Sequence, residues 1–198
     1  MATSGELVSR LLDVIEDDIV PLTRASVVDG NKIFGAAILL KQDLSLVIAG
    51  TNNEIANPLW HGELHTLKLF YELPAESRPA TRDCLFLSTH EPCSLCLSAI
   101  TWAGFDNFYY LFGYEDTKDA FNIPHDLDIL REVFGVEAGA YRRRNAYWQA
   151  REIDELIGDL PEERRGPLAA RVKALARVYG NLSEAYQSRK ASNAIPLG

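Results

Sequence analysis

Four side chains in two short segments of the sequence could together bind a metal ion and activate water. His61 and Glu63 stand two residues apart, and Cys93 and Cys96 stand three residues apart further along the chain. A histidine nitrogen and two thiolates are ligands that Zn²⁺ prefers, and three protein ligands leave a fourth position open for water. An open position is typical of a catalytic zinc site and not of a structural one. We therefore interpret His61, Cys93 and Cys96 as the ligands of Zn²⁺.

Glu63 supplies the second part of this chemistry. Zinc lowers the pKa of a bound water to about 7, and a carboxylate two residues past a ligand is placed to take the proton. The same carboxylate can pass the proton to a ring nitrogen of a substrate and then to departing ammonia. Together with Pro92, which suits a helix start, these residues form the H-x-E…P-C-x-x-C signature of zinc deaminases.

Other uses of these residues are weighed against the catalytic one. A closed structural zinc site would need a fourth ligand, which His65, Cys84 or His90 might offer. His65 is more typical of a buried, hydrogen-bonded histidine, and Cys84 of a small core residue at the start of a strand. A redox C-x-x-C pair would leave His61 and Glu63 without a role.

Hydrophobic periodicity indicates which elements position these side chains. It predicts helices over 7–19, 62–73, 93–103, 146–157 and from near 161 to near 190, with strands over 33–40, 44–49, 84–88 and 107–113. Pro21 is expected to end or kink the first helix, and Gly180-Asn181 to break the last one. The residues from 191 onward are expected to be frayed. Strands that alternate with helices predict an α/β sandwich with at least one parallel strand pair.

Length and composition are those of one compact unit. The chain has 198 residues, 47% of them hydrophobic, and a net charge of −8. We expect a zinc-dependent domain over 1–140 and a C-terminal helical extension over 141–198 packed on it. Three cysteines, with no export signal or membrane-length apolar run, predict a cytoplasmic protein without a disulfide framework and without membrane partners.

The distribution of charge bears on the partners. From Tyr141 onward the chain has 11 basic and 7 acidic residues, which leaves 9 basic and 21 acidic residues in the first 140. Because nucleic-acid backbones are bound mainly through Lys and Arg, an acidic first part makes a nucleic-acid partner unexpected. The run Arg142-Arg143-Arg144 is interpreted as a solvated or docking surface, with a nucleic-acid patch as the alternative.

Over roughly residues 7–134 the sequence resembles the cytidine deaminase superfamily, in the branch that holds cytosine deaminase, guanine deaminase and the tRNA adenosine deaminases. The segment 34–38 (FGAAI) is similar to a guanine deaminase strand, and 91–96 (EPCSLC) matches the E-P-C-x-x-C motif. The resemblance implies a three-layer α/β/α sandwich with a mixed central sheet, a site at helix N-termini, and a homodimer. At position 62 this chain has glycine where most of that branch has alanine. The segment His61-Gly62-Glu63 is in this respect similar to fungal cytosine deaminase.

The resemblance also implies substrate contacts. Asn52 takes the position of an asparagine that contacts the base in that branch, and Asp116 that of a substrate-contacting aspartate in guanine deaminases. A surface acid that caps the next helical turn is the alternative for Asp116. Trp60, beside the ligand His61, is interpreted as a residue that stacks on a flat ring, whereas Phe34 and Trp102 are expected in the core.

Three functions follow as hypotheses. The first is a zinc-dependent hydrolytic deaminase of a free nucleobase, a nucleoside or a related small aminated heterocycle, with guanine- or cytosine-deaminase-like activity. The second is a tRNA or single-strand adenosine deaminase that uses the basic C-terminal segment. The third is a non-catalytic, zinc-stabilised interaction domain. The sequence does not select the ring that is deaminated.

Overall fold

A five-stranded sheet forms the middle layer of the computed structural model, which describes residues 3–121 and 123–197. Its strands are β1 (Gly35–Leu40), β2 (Leu46–Thr51), β3 (Cys84–His90), β4 (Asn107–Phe112) and β5 (Gln149–Glu152). The order is β2-β1-β3-β4-β5. Strand β1 pairs antiparallel with β2 and β3, whereas the β3/β4 and β4/β5 pairs are parallel. The predicted mixed sheet is confirmed.

Helices cover both faces of this sheet. They are α1 (Ser4–Val14), α2 (Val20–Val28), α3 (Gly62–Glu72), α4 (Ser94–Trp102), α5 (Tyr114–Asp119), α6 (His125–Phe134), α7 (Ile153–Gly158) and α8 (Glu162–Gln187). A π-helical turn, Ile15–Ile19, joins α1 to α2. Pro21 was expected to end or kink the first helix; it does not end it, because the chain stays helical through Pro21 to Val28, and the kink stays a prediction. Pro21 lies in the first turn of α2, directly after the π-helical turn.

Alternation along the strands explains the three layers. Ala36 and Ile38 of β1 pack in one apolar cluster with α3 and α4. Ala37 and Leu39 pack on the opposite face, in the cluster that contains α1, α2, α7 and α8. The expected α/β/α sandwich is therefore confirmed, and the strands of both clusters are buried by helices on either side.

The C-terminal segment differs from its purely helical prediction. Residues 149–152 form the edge strand β5, and of the predicted helix over 146–157 only 153–157 are helical, as part of α7 (Ile153–Gly158). The strand is half-buried, as is typical of an edge strand: Ala150 is buried in the apolar cluster with α3 and α4, and Gln149 is exposed. The last helix α8 is continuous through Gly180, whose open surroundings tolerate it.

The topology brings four connections to one edge of the sheet. Strands β2, β3, β4 and β5 run in the same direction, so the segments that follow them leave from the same edge, where β1 begins. In open α/β sheets this edge is the usual place for a ligand crevice. Among the described residues, no helix has the length and apolar character needed to cross a membrane.

Candidate active site

His61 is held at the start of α3 by a close backbone approach. It occupies the N-cap position, and Gly62 is the first helical residue. A Cβ atom on Gly62 would lie 2.8 Å from the Cα of Gly35 and 2.8 Å from the carbonyl carbon of Phe34. Glycine is therefore required here because the start of α3 lies directly on the start of β1. This contact explains the H-G-E spelling of the motif in this chain.

The two cysteines are presented by the start of α4. Cys93 is the N-cap residue and Cys96 lies in the first turn. The Nδ1 atom of His61 lies 3.5 Å from the Sγ of Cys93 and 3.8 Å from the Sγ of Cys96. With ordinary Zn–N and Zn–S lengths, a tetrahedral site has an N···S edge of about 3.6 Å. The three donor atoms are thus spaced as ligands of one zinc ion.

No fourth residue belongs to this group of donors within residues 3–121 and 123–197, where His61, Cys93 and Cys96 form the one cluster able to hold a metal. His65 instead points its Nδ1 at the carbonyl oxygen of Thr51, at 2.8 Å. Cys84 lies buried at the far end of β3, near the carbonyl of Ala80. These two placements agree with the hydrogen-bonded and core roles predicted for them.

His90, the last candidate for a fourth ligand, lies among aromatic rings. Its ring contacts Phe34, Phe112, Phe121 and Tyr179, with centroid distances of 4.8 to 5.3 Å. Burial lowers the pKa of His90 to about 3. It is therefore a neutral core side chain at ordinary pH and not a member of the donor cluster.

The donor set concentrates negative charge. A hydrogen bond from Cys96 and a second from His61 hold the pKa of the Cys93 thiol well below its usual value. Burial and the neighbouring Cys93 raise the pKa of Cys96. Burial opposes protonation of His61, but its hydrogen bond to Cys93 and the nearby acids raise its pKa to about 9. Since zinc ligation needs thiolates and a neutral imidazole, zinc binding at these three residues would release protons.

Glu63 lies buried behind the donors. The Oγ of Ser88 donates a hydrogen bond of 2.8 Å to Oε1 of Glu63, and this bond leaves Oε2 available for a proton. Burial and the charge of Cys93 raise the pKa of Glu63. The structure therefore brings together all four residues that the sequence analysis assigned to metal binding and proton transfer.

A buried ion pair, which sequence reasoning missed, supports the outer side of His61. Oε1 of Glu54 lies 3.8 Å from Nε2 of His61 and 2.9 Å from Nζ of Lys32. The Nδ2 of Asn52 donates a hydrogen bond of 2.6 Å to Oε2 of the same carboxylate. At 3.8 Å the contact is longer than a hydrogen bond, so Glu54 acts on His61 through its charge, which favours the protonated imidazole. The one available signal was a lone lysine directly before an apolar strand.

A cavity of about 320 Å³ opens in front of the donors. Lys32, Glu54, His61 and Cys93 line its polar end, together with Asp126 from the first turn of α6. Burial and nearby negative groups raise the pKa of Asp126 well above its usual value. The other walls are mostly apolar: Phe34, Leu59, Leu95, Ile123, Ile129, Ile195, Pro196 and Leu197.

Two features of this wall differ from the sequence analysis. Phe34 was expected in the core; its side chain packs against the core cluster and also lines the cavity. The C-terminal residues, expected to be frayed, contribute Ile195 to the wall, and this side chain is buried.

The prediction that Trp102 is a core residue is wrong, because its side chain is 91% exposed on α4.

Three predicted substrate contacts are placed differently. Asn52 is buried beside Glu54 and does not line the cavity. Trp60 stacks on His65, away from the cavity, with the ammonium of Lys68 over its ring. Asp116 is exposed and accepts a hydrogen bond of 3.1 Å from the backbone N–H of Gly113. The structure therefore gives Asp116 the capping position and does not bring it to the donor cluster.

The loop that carries Cys93 is held from the side of β4. The backbone N–H of Tyr114 donates to Oε2 of Glu91 at 3.1 Å, and its hydroxyl donates to the carbonyl of Pro92 at 2.6 Å. The hydroxyl of Tyr141 donates to Oε1 of Glu91 at 2.7 Å, and Arg143 lies 3.3 Å from the same atom. The C-terminal segment thus contacts the metal-binding loop directly.

Comparison with known proteins agrees with this site. Residues 20–112 match the family model of the cytidine and deoxycytidylate deaminase zinc-binding region, an interval that includes the ligands and the glutamate. The guanine deaminase from Nitrosomonas europaea has a similar structure, at 19% identity and a TM-score of 0.50, over 91% of this chain and 86% of that chain.

Further solved structures also match. A protein solved in complex with 2,6-diaminopurine is 19% identical to this chain, with a TM-score of 0.50 over 95% of this chain and 83% of that chain. The guanine deaminase from Bacillus subtilis is 25% identical, with a TM-score of 0.45 over 55% of this chain and 68% of that chain. No curated protein sequence matches the chain significantly.

Proposed function

We propose that the chain, whose residues 20–112 match the cytidine and deoxycytidylate deaminase zinc-binding region, is a cytidine deaminase superfamily member that removes the amino group of a free nucleobase, a nucleoside or a related small aminated heterocycle. The family indicates a hydrolytic deaminase that acts on a C–N bond. One observation carries the proposal: three donors have zinc spacing, Glu63 is buried beside them, and two of the donors, His61 and Cys93, line a cavity of about 320 Å³.

The residues of the site have distinct parts in this reaction. His61, Cys93 and Cys96 would hold Zn²⁺, which supplies a water of lowered pKa. Glu63, held at Oε1 by Ser88, would take one proton of the water at Oε2 and give it to the ring nitrogen. It would then carry the second proton of the water to the amino group, which leaves as ammonia while a carbonyl forms at the ring carbon. Apolar side chains such as Phe34 and Ile123 line the space for a flat ring and exclude water.

The ion pairs of the basic segment 142–144 also favour a small substrate over RNA. Arg143, the middle residue of the run Arg142-Arg143-Arg144, lies within ion-pair distance of Glu91, Glu152 and Glu155. An arginine engaged with three carboxylates is a poor phosphate ligand. The homodimer implied by the resemblance stays a prediction, which light scattering on the purified protein tests.

The test is ammonia release from a panel of aminated purines, pyrimidines, triazines and pterins by zinc-loaded protein. We expect turnover of at least one compound. Glu63→Gln should lower that turnover by about 10²- to 10⁴-fold, since a positioned proton carrier contributes this much, while one zinc per chain is retained. Glu72→Gln, on the exposed end of α3, is the matched control and should be fully active. Full turnover by Glu63→Gln would overturn the assignment.

A further inference from the structure

Lys32 places a buried ammonium group at the polar end of the active-site cavity. Its side chain is 6% exposed, and its Nζ donates a hydrogen bond of 2.9 Å to Oε1 of Glu54, whose side chain is 1% exposed. Both residues line the cavity together with His61 and Cys93. The same Oε1 atom of Glu54 lies between Lys32 and the metal ligand His61. Neither metal binding nor proton transfer explains why a lysine stands here.

The hydrogen-bonding capacity of Lys32 is only partly used. An ammonium group has three N–H donors, and Glu54 accepts one of them among the described residues. Buried polar groups in proteins are nearly always hydrogen-bonded, and a buried charge without partners is costly. The remaining donors therefore require an acceptor, and the space next to Lys32 is the cavity itself.

The residue predicted to contact the base is unable to provide this donor. Asn52 commits its Nδ2 to Oε2 of Glu54 at 2.6 Å and is buried outside the cavity wall. The Glu54 carboxylate thus separates Asn52 from the cavity and presents Lys32 in its place.

From this placement we propose that Lys32 determines the substrate class: it binds an oxo oxygen on the same ring that carries the amino group. The inference rests on the proposed deaminase function. Glu54 already balances the charge of Lys32, and Asp126 adds a carboxyl group to the same cavity. A neutral ring oxygen fits these surroundings, whereas a phosphate beside Lys32 would also face the carboxyl groups of Glu54 and Asp126.

A site built to hydrogen-bond a substrate group discriminates strongly against an analogue that lacks it. The test compares matched rings: guanine with 2-aminopurine, and cytosine with 4-aminopyrimidine. Within the pair that is deaminated, the oxo compound should have the higher kcat/KM. Lys32→Met should lower kcat/KM for the oxo compound by about 10- to 100-fold, the value of a hydrogen bond to a charged group, and leave the oxo-free compound nearly unchanged.

The ratio within a pair does not depend on the folded fraction of the variant. Lys68→Met, which removes an exposed lysine paired with Glu72 on α3, is the matched control and should keep the wild-type ratio. Binding of the same pair to Glu63→Gln, measured by isothermal titration, should show the same preference without turnover.

The outcomes separate this inference from the proposed function. If the wild-type protein releases ammonia from no ring, the proposed function fails. If it deaminates a ring but shows no preference for the oxo member, the assignment of Lys32 is overturned, even where Lys32→Met does not fold. An equal loss of both members in Lys32→Met would contradict it too, because that result marks a purely structural ion pair.

Discussion

At the scale of single residues, the chemistry of the site is encoded by residue type and spacing. His61, Glu63, Cys93 and Cys96 were predicted from two short motifs, because metal ligation and proton transfer allow few alternative side chains. Lys32 carries no such signature. A lysine in a sequence is exposed by default, and only the fold shows that this one is buried against Glu54.

His90 gives a prediction on acid stability. Its pKa is about 3 in the folded protein because of burial, against about 6.5 when exposed. Below pH 6.5 the unfolded chain takes up a proton that the folded chain does not, so stability falls as the pH drops from 6.5 towards 3. The slope from this residue approaches about 1.4 kcal/mol per pH unit.

His90→Phe removes this titration. Denaturant unfolding from pH 7 to pH 4 should show a shallower loss of stability in His90→Phe than in the wild type. His65→Phe, on the half-buried face of α3, is a control for the loss of a histidine in general. Identical pH slopes for His90→Phe and the wild type would show that His90 is protonated in the folded state.

At the scale of elements, the start of α3 is set by its contact with β1. Gly62→Ala should push α3 away from Gly35, because the added Cβ meets backbone atoms at 2.8 Å. We expect a loss of about 1–3 kcal/mol in unfolding free energy, as for overpacking of a tight site, and weaker zinc binding. Gly180→Ala is the control: nothing lies within 4 Å of its added Cβ, and this change should raise helix stability by about 0.5–1 kcal/mol.

The helix and strand predictions succeeded where periodicity was strong. The segment 62–73 was predicted as a helix and α3 covers Gly62–Glu72. The predicted helix over 146–157 failed at 149–152, because this four-residue strand is too short for its alternation to stand out and it is fixed by pairing with β4. Pro21 and Gly180 are helix breakers by residue type, but the chain is helical at both positions, so the residue type alone did not predict the ends of α2 and α8.

At the scale of the whole molecule, the C-terminal extension is tied to the metal-binding loop. Tyr141 donates to the buried carboxylate of Glu91 at 2.7 Å. Tyr141→Phe should cost about 1.5–3 kcal/mol of stability, the range for a hydrogen bond to a charged group, and should speed zinc loss to a chelator. Tyr147→Phe, which alters an exposed ring, is the control. Unchanged zinc loss in Tyr141→Phe would contradict a role of the extension in holding the loop.

The sequence predicted that 141–198 packs on 1–140, and the boundary at residue 140 stays a prediction. The sequence did not predict that residues 141–198 supply a strand of the central sheet and part of the cavity wall. Strand β5 completes the sheet beside β4, and Ile195 closes one wall of the cavity. Both placements depend on contacts between distant parts of the chain, which local patterns do not record.

The central claim is that three protein donors hold one zinc ion and leave one position for solvent. X-ray absorption at the zinc edge of purified protein tests it most directly. We predict one zinc per chain with two sulfur neighbours at about 2.3 Å and two nitrogen or oxygen neighbours at about 2.0–2.1 Å. His61→Ala should remove one of the latter, and a competitive heterocycle should change the other. A fourth protein donor, or no zinc in the protein, would contradict the account.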